Sequence, residues 1–251
     1  MTPDAAATEL RELLARHADP AFADGMQRYF RTHVPALGVG NRAVADMTYR
    51  WVGEHPDLSP ADRLAIADTL IEQSKHHEET LAGFALLHRV AKKQMGGELL
   101  DHARIWLDRH VTNWAQCDDL CLKLLYPYLL GHLDEMSRTR AWIGGGPWAR
   151  RAANVAVVKF VRRQVGKTVY ELPVSHVFDN CTALMSDEEF YVQKGVGWLL
   201  KVTAQVHPEA VGEYLRTWHT QMRRDTFRYA LEGMSADDRS ALMALDGGVR
   251  A

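Results

Sequence analysis

Apolar residues recur at helical spacing along almost the whole chain, and the alternation typical of half-buried strands is nearly absent. Breakers support this periodicity, because Pro60 and Pro208 stand at predicted first helical positions and glycines precede Pro147. The pattern predicts helices over 5–17, 20–33, 41–54, 60–74, 77–93, 98–110, 113–131, 134–142, 148–163, 188–206, 208–220 and 222–234.

So many helices joined by short links favour antiparallel helix pairs stacked in series. We therefore predict an all-α fold, a HEAT-like helical-repeat solenoid with a concave basic face, formed as a single domain over residues 1–251. Residues 164–187 are less regular and are predicted to be a linker with a short helix. They are not predicted to be a domain boundary, because the same helical pattern continues after them.

Composition excludes several classes of protein. The chain of 251 residues is 47% hydrophobic with a net charge of −2, which is typical of a soluble globular protein and shows no global preference for a polyanion. Three cysteines are too few for a disulfide framework. The first residues resemble an amphipathic helix rather than a signal peptide, and no apolar run approaches a membrane span. We expect a cytoplasmic monomer.

Positive charge is concentrated locally. Between Ser137 and Tyr170 there are eight Lys or Arg residues and no Asp or Glu. On the predicted helix 148–163, Arg151 and Arg162 lie eleven residues apart and share one stripe, with Arg150 beside them. Such a face is either simply solvated or contacts backbone phosphates with an affinity that falls as salt rises.

A tryptophan and a carboxylate share one face of a predicted buried helix. Trp114 and Asp118 are four residues apart, beside a core stripe that includes Cys117, Cys121 and Tyr128. A partly desolvated carboxylate needs a partner. Asp118 therefore either bonds a neighbouring backbone amide or Arg, or it receives a cationic ligand. The next acid, Asp119, is predicted to pair with Lys123 on a solvated face.

Two further aromatic side chains have open interpretations. Trp198 lies on a later helix near Gly195 and Gly197, and each helical glycine costs about 1 kcal/mol relative to alanine. These glycines indicate either close helix packing or a ligand surface. A capping box of Ser186 and Glu189 is predicted to begin this helix. Tyr29 is predicted to be a helical packing residue that is also able to cover an open face.

A metal site is the weaker alternative. The run His76-His77-Glu78-Glu79, together with Glu98 and His102, suggests a helical metalloenzyme. Carboxylate-bridged metal sites, however, use Glu and His three residues apart, whereas here the Glu–His spacing is four. The run is therefore predicted to lie on a solvated face, and no metal is expected.

Five segments, in order, resemble one known family. The segments GMQRYFRTHVPALGV, NWAQCD, WARRAANVAV, YVQKGVGWLLKV and FRYALEGM are similar to the DNA alkylation repair family of HEAT-like alkylpurine DNA glycosylases. The similarity runs from about Met26 to Met234. The resemblance implies hydrolysis of the N-glycosidic bond to cationic N3- or N7-alkylpurines in double-stranded DNA. It also implies that no metal or cofactor takes part and that bulky adducts are tolerated, because the lesion is not flipped into a deep pocket.

The resemblance also implies roles for particular residues. Asp118 would be catalytic between Trp114 and Trp198, Arg151 would grip phosphate, and Tyr29 would close the site. Further DNA contacts are expected from Arg150, Arg162 and Lys194. One departure is Ala115, which stands where some relatives carry an acid. The alternative function is a non-catalytic HEAT-like scaffold that binds nucleic acid or protein, and a base-release assay distinguishes the two.

Overall fold

Helices dominate the computed structural model, which describes residues 1–245. The α-helices are α1 Pro3–Ala15, α2 Pro20–Met26, α3 Asn41–Glu54, α4 Pro60–Glu72, α5 His77–Leu87, α6 Ala91–Gln94, α7 Glu98–Arg109, α8 Trp114–Asp119, α9 Tyr126–Gly131, α10 Pro147–Val155, α11 Val174–Ala183, α12 Phe190–Ala204, α13 Pro208–Trp218, α14 Arg224–Leu231 and α15 Ala236–Met243. A π-helix covers Leu120–Leu125, and 3₁₀ turns cover Gln27–Tyr29, Leu133–Gly144 and Val158–Phe160. The predicted all-α class is confirmed.

Local chemistry explains many of the helix boundaries. Ser59 and Asp62 form a reciprocal capping box at the start of α4, and Pro60 occupies the first turn, where its missing N–H costs nothing. The observed range of α3, Asn41–Glu54, is the predicted one. No helix within residues 1–245 is both long and apolar enough to cross a membrane.

The chain divides into two compact units, 1–133 and 134 onward. In the first unit, α3 and α4 pack against α5, and every residue of α5 is buried. In the second unit, α10 and α14 pack against α12. Each unit therefore has a central helix that its neighbours cover. The single solenoid domain and its concave basic face stay predictions.

The structure corrects the predicted helix 148–163. Helix α10 ends at Val155, and residues 162–171 form an antiparallel hairpin of β1 (Arg162–Val165) and β2 (Thr168–Glu171). Gly166 supplies the positive φ of 60° that the tight turn requires. The β-branched valines before it favour an extended chain over further helical turns. Arg162 therefore does not share a helical stripe with Arg151.

Of two predictions for residues 164–189, the structure confirms one and contradicts the other. The short helix predicted there is present as α11. The predicted capping box of Ser186 and Glu189 was wrong, because α12 begins at Phe190 and Glu189 caps it without a side-chain hydrogen bond. Instead, the backbone N–H of Glu189 donates to Asp187 at 2.9 Å.

Candidate functional site

Helix α8 presents Trp114 and Asp118 one turn apart, and both side chains are half-buried. The helix begins at Trp114 because the Asn113 side chain accepts a hydrogen bond from the backbone N–H of Gln116 at 3.0 Å. The predicted core stripe is confirmed, since Cys117 and the other members of that stripe are fully buried. An indole and a carboxylate thus stand together at the edge of the core.

A wide helical turn follows the Asp118 position. Residues Leu120–Leu125 adopt a π-helix, in which the N–H of Tyr126 bonds to the carbonyl of Cys121, five residues back. Pro127 has no N–H to continue an α-helical ladder, and this favours a local change of register. Such π-bulges frequently occur at functional sites.

Tyr29 contacts Trp114 with its backbone. Its carbonyl oxygen accepts a hydrogen bond from the Trp114 indole Nε1 at 3.1 Å. The Phe30 ring lies 5.8 Å from the Trp114 ring, centroid to centroid. Tyr29 is 59% exposed, so the prediction of a helical packing residue was wrong. The chain leaves the helix at Met26, and the guanidinium of Arg28 lies 4.8 Å above the exposed phenol ring.

The predicted pair of Asp119 and Lys123 is present, but Asp119 is buried. Its side chain is 5% exposed and bonds to Lys123, and its Oδ1 lies 4.0 Å from Nε2 of His88. His88 Nδ1 shares a hydrogen bond with the Tyr49 hydroxyl at 2.9 Å. Burial raises the pKa of Asp119 above its ordinary value, against the opposing effect of Lys123. The solvated-face prediction was wrong, because α8 turns Asp119 toward this buried polar cluster.

Burial, with the nearby charge of Lys123, lowers the pKa of His88 to about 4. His88 is therefore neutral at pH 7. In the unfolded chain this histidine binds a proton below about pH 6.5, whereas in the folded chain it stays neutral down to about pH 4. The free energy of unfolding therefore falls as the pH drops from about 6.5 to 4. We expect this group to cost about 3 kcal/mol over that window. Thermal unfolding of His88→Gln across pH 4–7 should show a shallower loss of stability.

The comparison isolates His88, because Tyr49, Asp119, Lys123 and Arg89 are the same in both proteins. Exposed His17→Gln serves as the matched control and should leave the pH profile unchanged. Identical profiles for wild type and His88→Gln would show that the depressed pKa of His88 does not govern acid sensitivity.

The His76–Glu79 run is not a solvated face. His77, Glu78 and Glu79 are buried, because α5 is the central helix of its unit. Glu78 accepts the backbone N–H groups of Leu37, Gly38 and Val39 at 2.9, 2.8 and 3.0 Å.

The other acids and histidines suggested as metal ligands also have protein partners. Glu79 binds Arg11 at 3.2 Å, and His102 binds Asp68 at 3.0 Å. Glu98 accepts the N–H of Gly96 at 2.9 Å. Within residues 1–245, no group of three or more His, Cys, Asp or Glu residues is arranged to hold a metal ion.

In the second unit, α10 and α12 carry the remaining predicted residues. Arg151 is buried, and its Nη1 donates to the Tyr191 carbonyl at 2.7 Å. Trp198 is half-buried one helix turn after Gly195. A Cβ on Gly195 would lie 3.4 Å from the Arg151 carbonyl, and one on Gly197 would lie 2.8 Å from the Tyr229 ring. Close helix packing thus accounts for Gly197, whereas the contact at Gly195 is an ordinary van der Waals distance that an alanine would also make.

Acids from outside the basic stretch pair with its arginines. Arg150 binds Asp187, and Arg162 binds Glu171 across the hairpin at 3.3 Å. Further pairs join Arg138 to Glu135 and Arg140 to Asp179.

Lys194, on α12, also lies near an acid and an aromatic ring. Its Nζ lies 4.0 Å from Asp225 and 5.2 Å from the centroid of the Phe190 ring. The sequence alone does not reveal the pairs of Arg140, Arg150 or Lys194, because the acids are more than 25 residues away.

The chain matches the family model described as "DNA alkylation repair enzyme" over residues 10–234. A similar solved structure is described as "Predicted DNA alkylation repair enzyme from Enterococcus faecalis", with a TM-score of 0.73 and 16% identity. That match covers 87% of this chain and 97% of the other. At this identity, the likeness is one of fold. Among curated proteins, no sequence matches the chain.

Proposed function

Because the chain belongs to the DNA alkylation repair enzyme family, we propose that it is a DNA glycosylase acting on cationic N3- or N7-alkylated purines in double-stranded DNA. The observation that carries this proposal is the Asp118 carboxylate, half-buried one turn from Trp114, whose indole N–H is held by the Tyr29 carbonyl. This arrangement combines an anion and an oriented aromatic ring on a scaffold of helices, as stabilisation of a cationic sugar requires.

The proposed chemistry starts from a good leaving group. Alkylation places a positive charge on the purine, so the electrons of the breaking C1′–N bond neutralise the base as it departs. The deoxyribose becomes oxocarbenium-like, and the Asp118 carboxylate stabilises that charge electrostatically. Asp118 also orients the water that adds to C1′. The added water then gives up a proton to solvent, which leaves an abasic site. A cationic base needs no general acid.

The aromatic and cationic residues have supporting roles in this proposal. The electron-rich faces of Trp114 and Trp198 favour the developing positive charge. Arg151 is the proposed phosphate grip, and further phosphate contacts come from Arg150, Arg162 and Lys194. Arg162 and Lys194 are part-exposed or exposed and already pair with acids. Exchanging such pairs for phosphates costs little, since exposed ion pairs contribute about 0–1 kcal/mol.

A base-release assay tests the proposal directly. A duplex with a single 7-methylguanine, incubated with the protein and then cleaved with alkali at abasic sites, should break at the lesion, whereas an undamaged duplex should not. A second duplex with a bulky N7 adduct tests whether the lesion stays out of a deep pocket, since a deep pocket would exclude it. Tight binding of both damaged duplexes without any base release would favour the scaffold alternative.

Replacing Arg151 tests the phosphate grip. We expect Arg151→Met to weaken binding to all DNA sequences about equally and to reduce the slope of log affinity against log salt by about one. Fluorescence anisotropy at several salt concentrations measures both quantities. Because Arg151 also donates to the Tyr191 carbonyl, the unfolding temperature of the variant is measured beside it. An unchanged salt slope in a folded variant would restrict Arg151 to a structural role.

A further inference from the structure

The indole of Trp114 contacts an irregular segment that precedes α3. Residues 27–40 begin with a 3₁₀ turn and then run without regular structure to Asn41. This 27–40 segment lies against the central helix α5, where the N–H of His77 donates to the Pro35 carbonyl at 2.9 Å. The Phe30 ring lies 6.1 Å from the His77 ring and 5.8 Å from the Trp114 ring.

One side chain closes the first part of the 27–40 segment into a loop. Gln27 Nε2 donates to the Val34 carbonyl at 2.8 Å, and the Val34 N–H donates to Gln27 Oε1 at 3.0 Å. These two bonds satisfy the donor and the acceptor of a nearly buried backbone position, since Val34 is 4% exposed. The amide therefore determines where residues 28–33 lie.

Tyr29 sits on this loop and supplies the acceptor for the Trp114 Nε1–H at 3.1 Å. The indole has a single donor, so this bond defines the orientation of the ring in its plane. We propose that Gln27 is a positioning residue, which orients the Trp114 indole through the Tyr29 carbonyl. This inference rests on the proposed function for its catalytic consequence, but the orientation itself is a property of the protein alone.

Glu78 fixes the 27–40 segment at its C-terminal end, as Gln27 does at its N-terminal end. The buried Glu78 carboxylate accepts the backbone N–H groups of residues 37–39, close to the start of α3. Gln27, by contrast, acts on the loop that carries the carbonyl facing Trp114. Replacing Gln27 therefore releases the Tyr29 loop while Glu78 keeps the rest of the segment on α5.

The first test needs no activity. With ¹⁵N-labelled tryptophan, the seven indoles give seven N–H signals, and Trp114→Phe identifies the signal of Trp114. In Gln27→Met, which is close in shape and removes both bonds to Val34, we expect that signal to shift and its exchange with solvent to accelerate about ten-fold. The other six signals should stay in place.

Exposed Gln94→Met, on helix α6 of the same unit, is the matched control and should leave all seven signals unchanged. If Gln27→Met does not fold, Gln27→Glu replaces it, because the carboxylate keeps an acceptor for the Val34 N–H but places a charged oxygen, with no donor, against the Val34 carbonyl. A folded variant whose Trp114 signal keeps its position and exchange rate would overturn the inference.

The second test is a double-mutant cycle on base release. Misplacement of a positioned group costs up to about 100-fold in rate, and we expect Gln27→Met to lower kcat about ten-fold with little change in KM. In the Trp114→Phe background it should add no further loss, since the bond it supports is already gone. Additive losses would contradict action through Trp114. An inactive wild type with the expected indole shift would refute the proposed function and leave the positioning intact.

Discussion

Asp118→Asn should retain DNA binding and lose most base release, with single-turnover rates at least about 100-fold below wild type. The amide has nearly the shape of the carboxylate, so the packing of α8 is preserved. What disappears is the negative charge that opposes the developing charge on the sugar, and preorganised electrostatic stabilisation is usually the largest single catalytic contribution. Release of 7-methylguanine, or of a bulkier N7 adduct, from duplex DNA measures the loss.

The control for this change is Asp101→Asn, an exposed carboxylate on helix α7 of the same unit. It removes the same charge from the protein and should release base at the wild-type rate. If Asp118→Asn released base as fast as Asp101→Asn did, the carboxylate of Asp118 would have no catalytic part, and the glycosylase mechanism would need another anion.

Gly38→Ala should lower stability by about 3 kcal/mol, which for a chain of this size corresponds to about 6–12 °C in unfolding temperature. Gly38 has a φ of +83°, where a side chain is strained, and a Cβ there would lie 1.9 Å from the Asp19 carbonyl oxygen. That oxygen is backbone and accepts the N–H of Ala23 in the first turn of α2, so it has no easy way to yield. Moving Gly38 instead would pull its N–H away from the buried Glu78.

Gly25→Ala is the matched control for the glycine. Gly25 lies within α2 and has open space around its Cα, so alanine should leave stability unchanged or raise it by about 1 kcal/mol. Circular dichroism during heating measures both variants. Equal unfolding temperatures for the two would show that the 27–40 segment accommodates a side chain at position 38 without strain.

Short-range features of the fold were predictable because their causes lie within one or two helical turns. The apolar periodicity and the proline at the start of α4 place that helix to within two residues. The four-residue spacing of Trp114 and Asp118 places both on one face, as the structure confirms. The hairpin at 162–171 was missed because a short run of valines and arginines has no clear period, so helix and strand patterns compete there.

Burial and pairing required the tertiary structure, because they depend on residues far apart in the chain. From sequence spacing alone, Asp119 was predicted to be solvated. In the structure, packing against His88 buries Asp119, and Asp118 is half-buried. Tyr29 was expected to pack, whereas the Gln27–Val34 bonds place its carbonyl on Trp114, 85 residues away, and its ring in solvent. Periodicity thus determined the helices and the shared face of indole and carboxylate. Only long-range contacts, which no local pattern encodes, decided which groups are buried, paired or held in orientation.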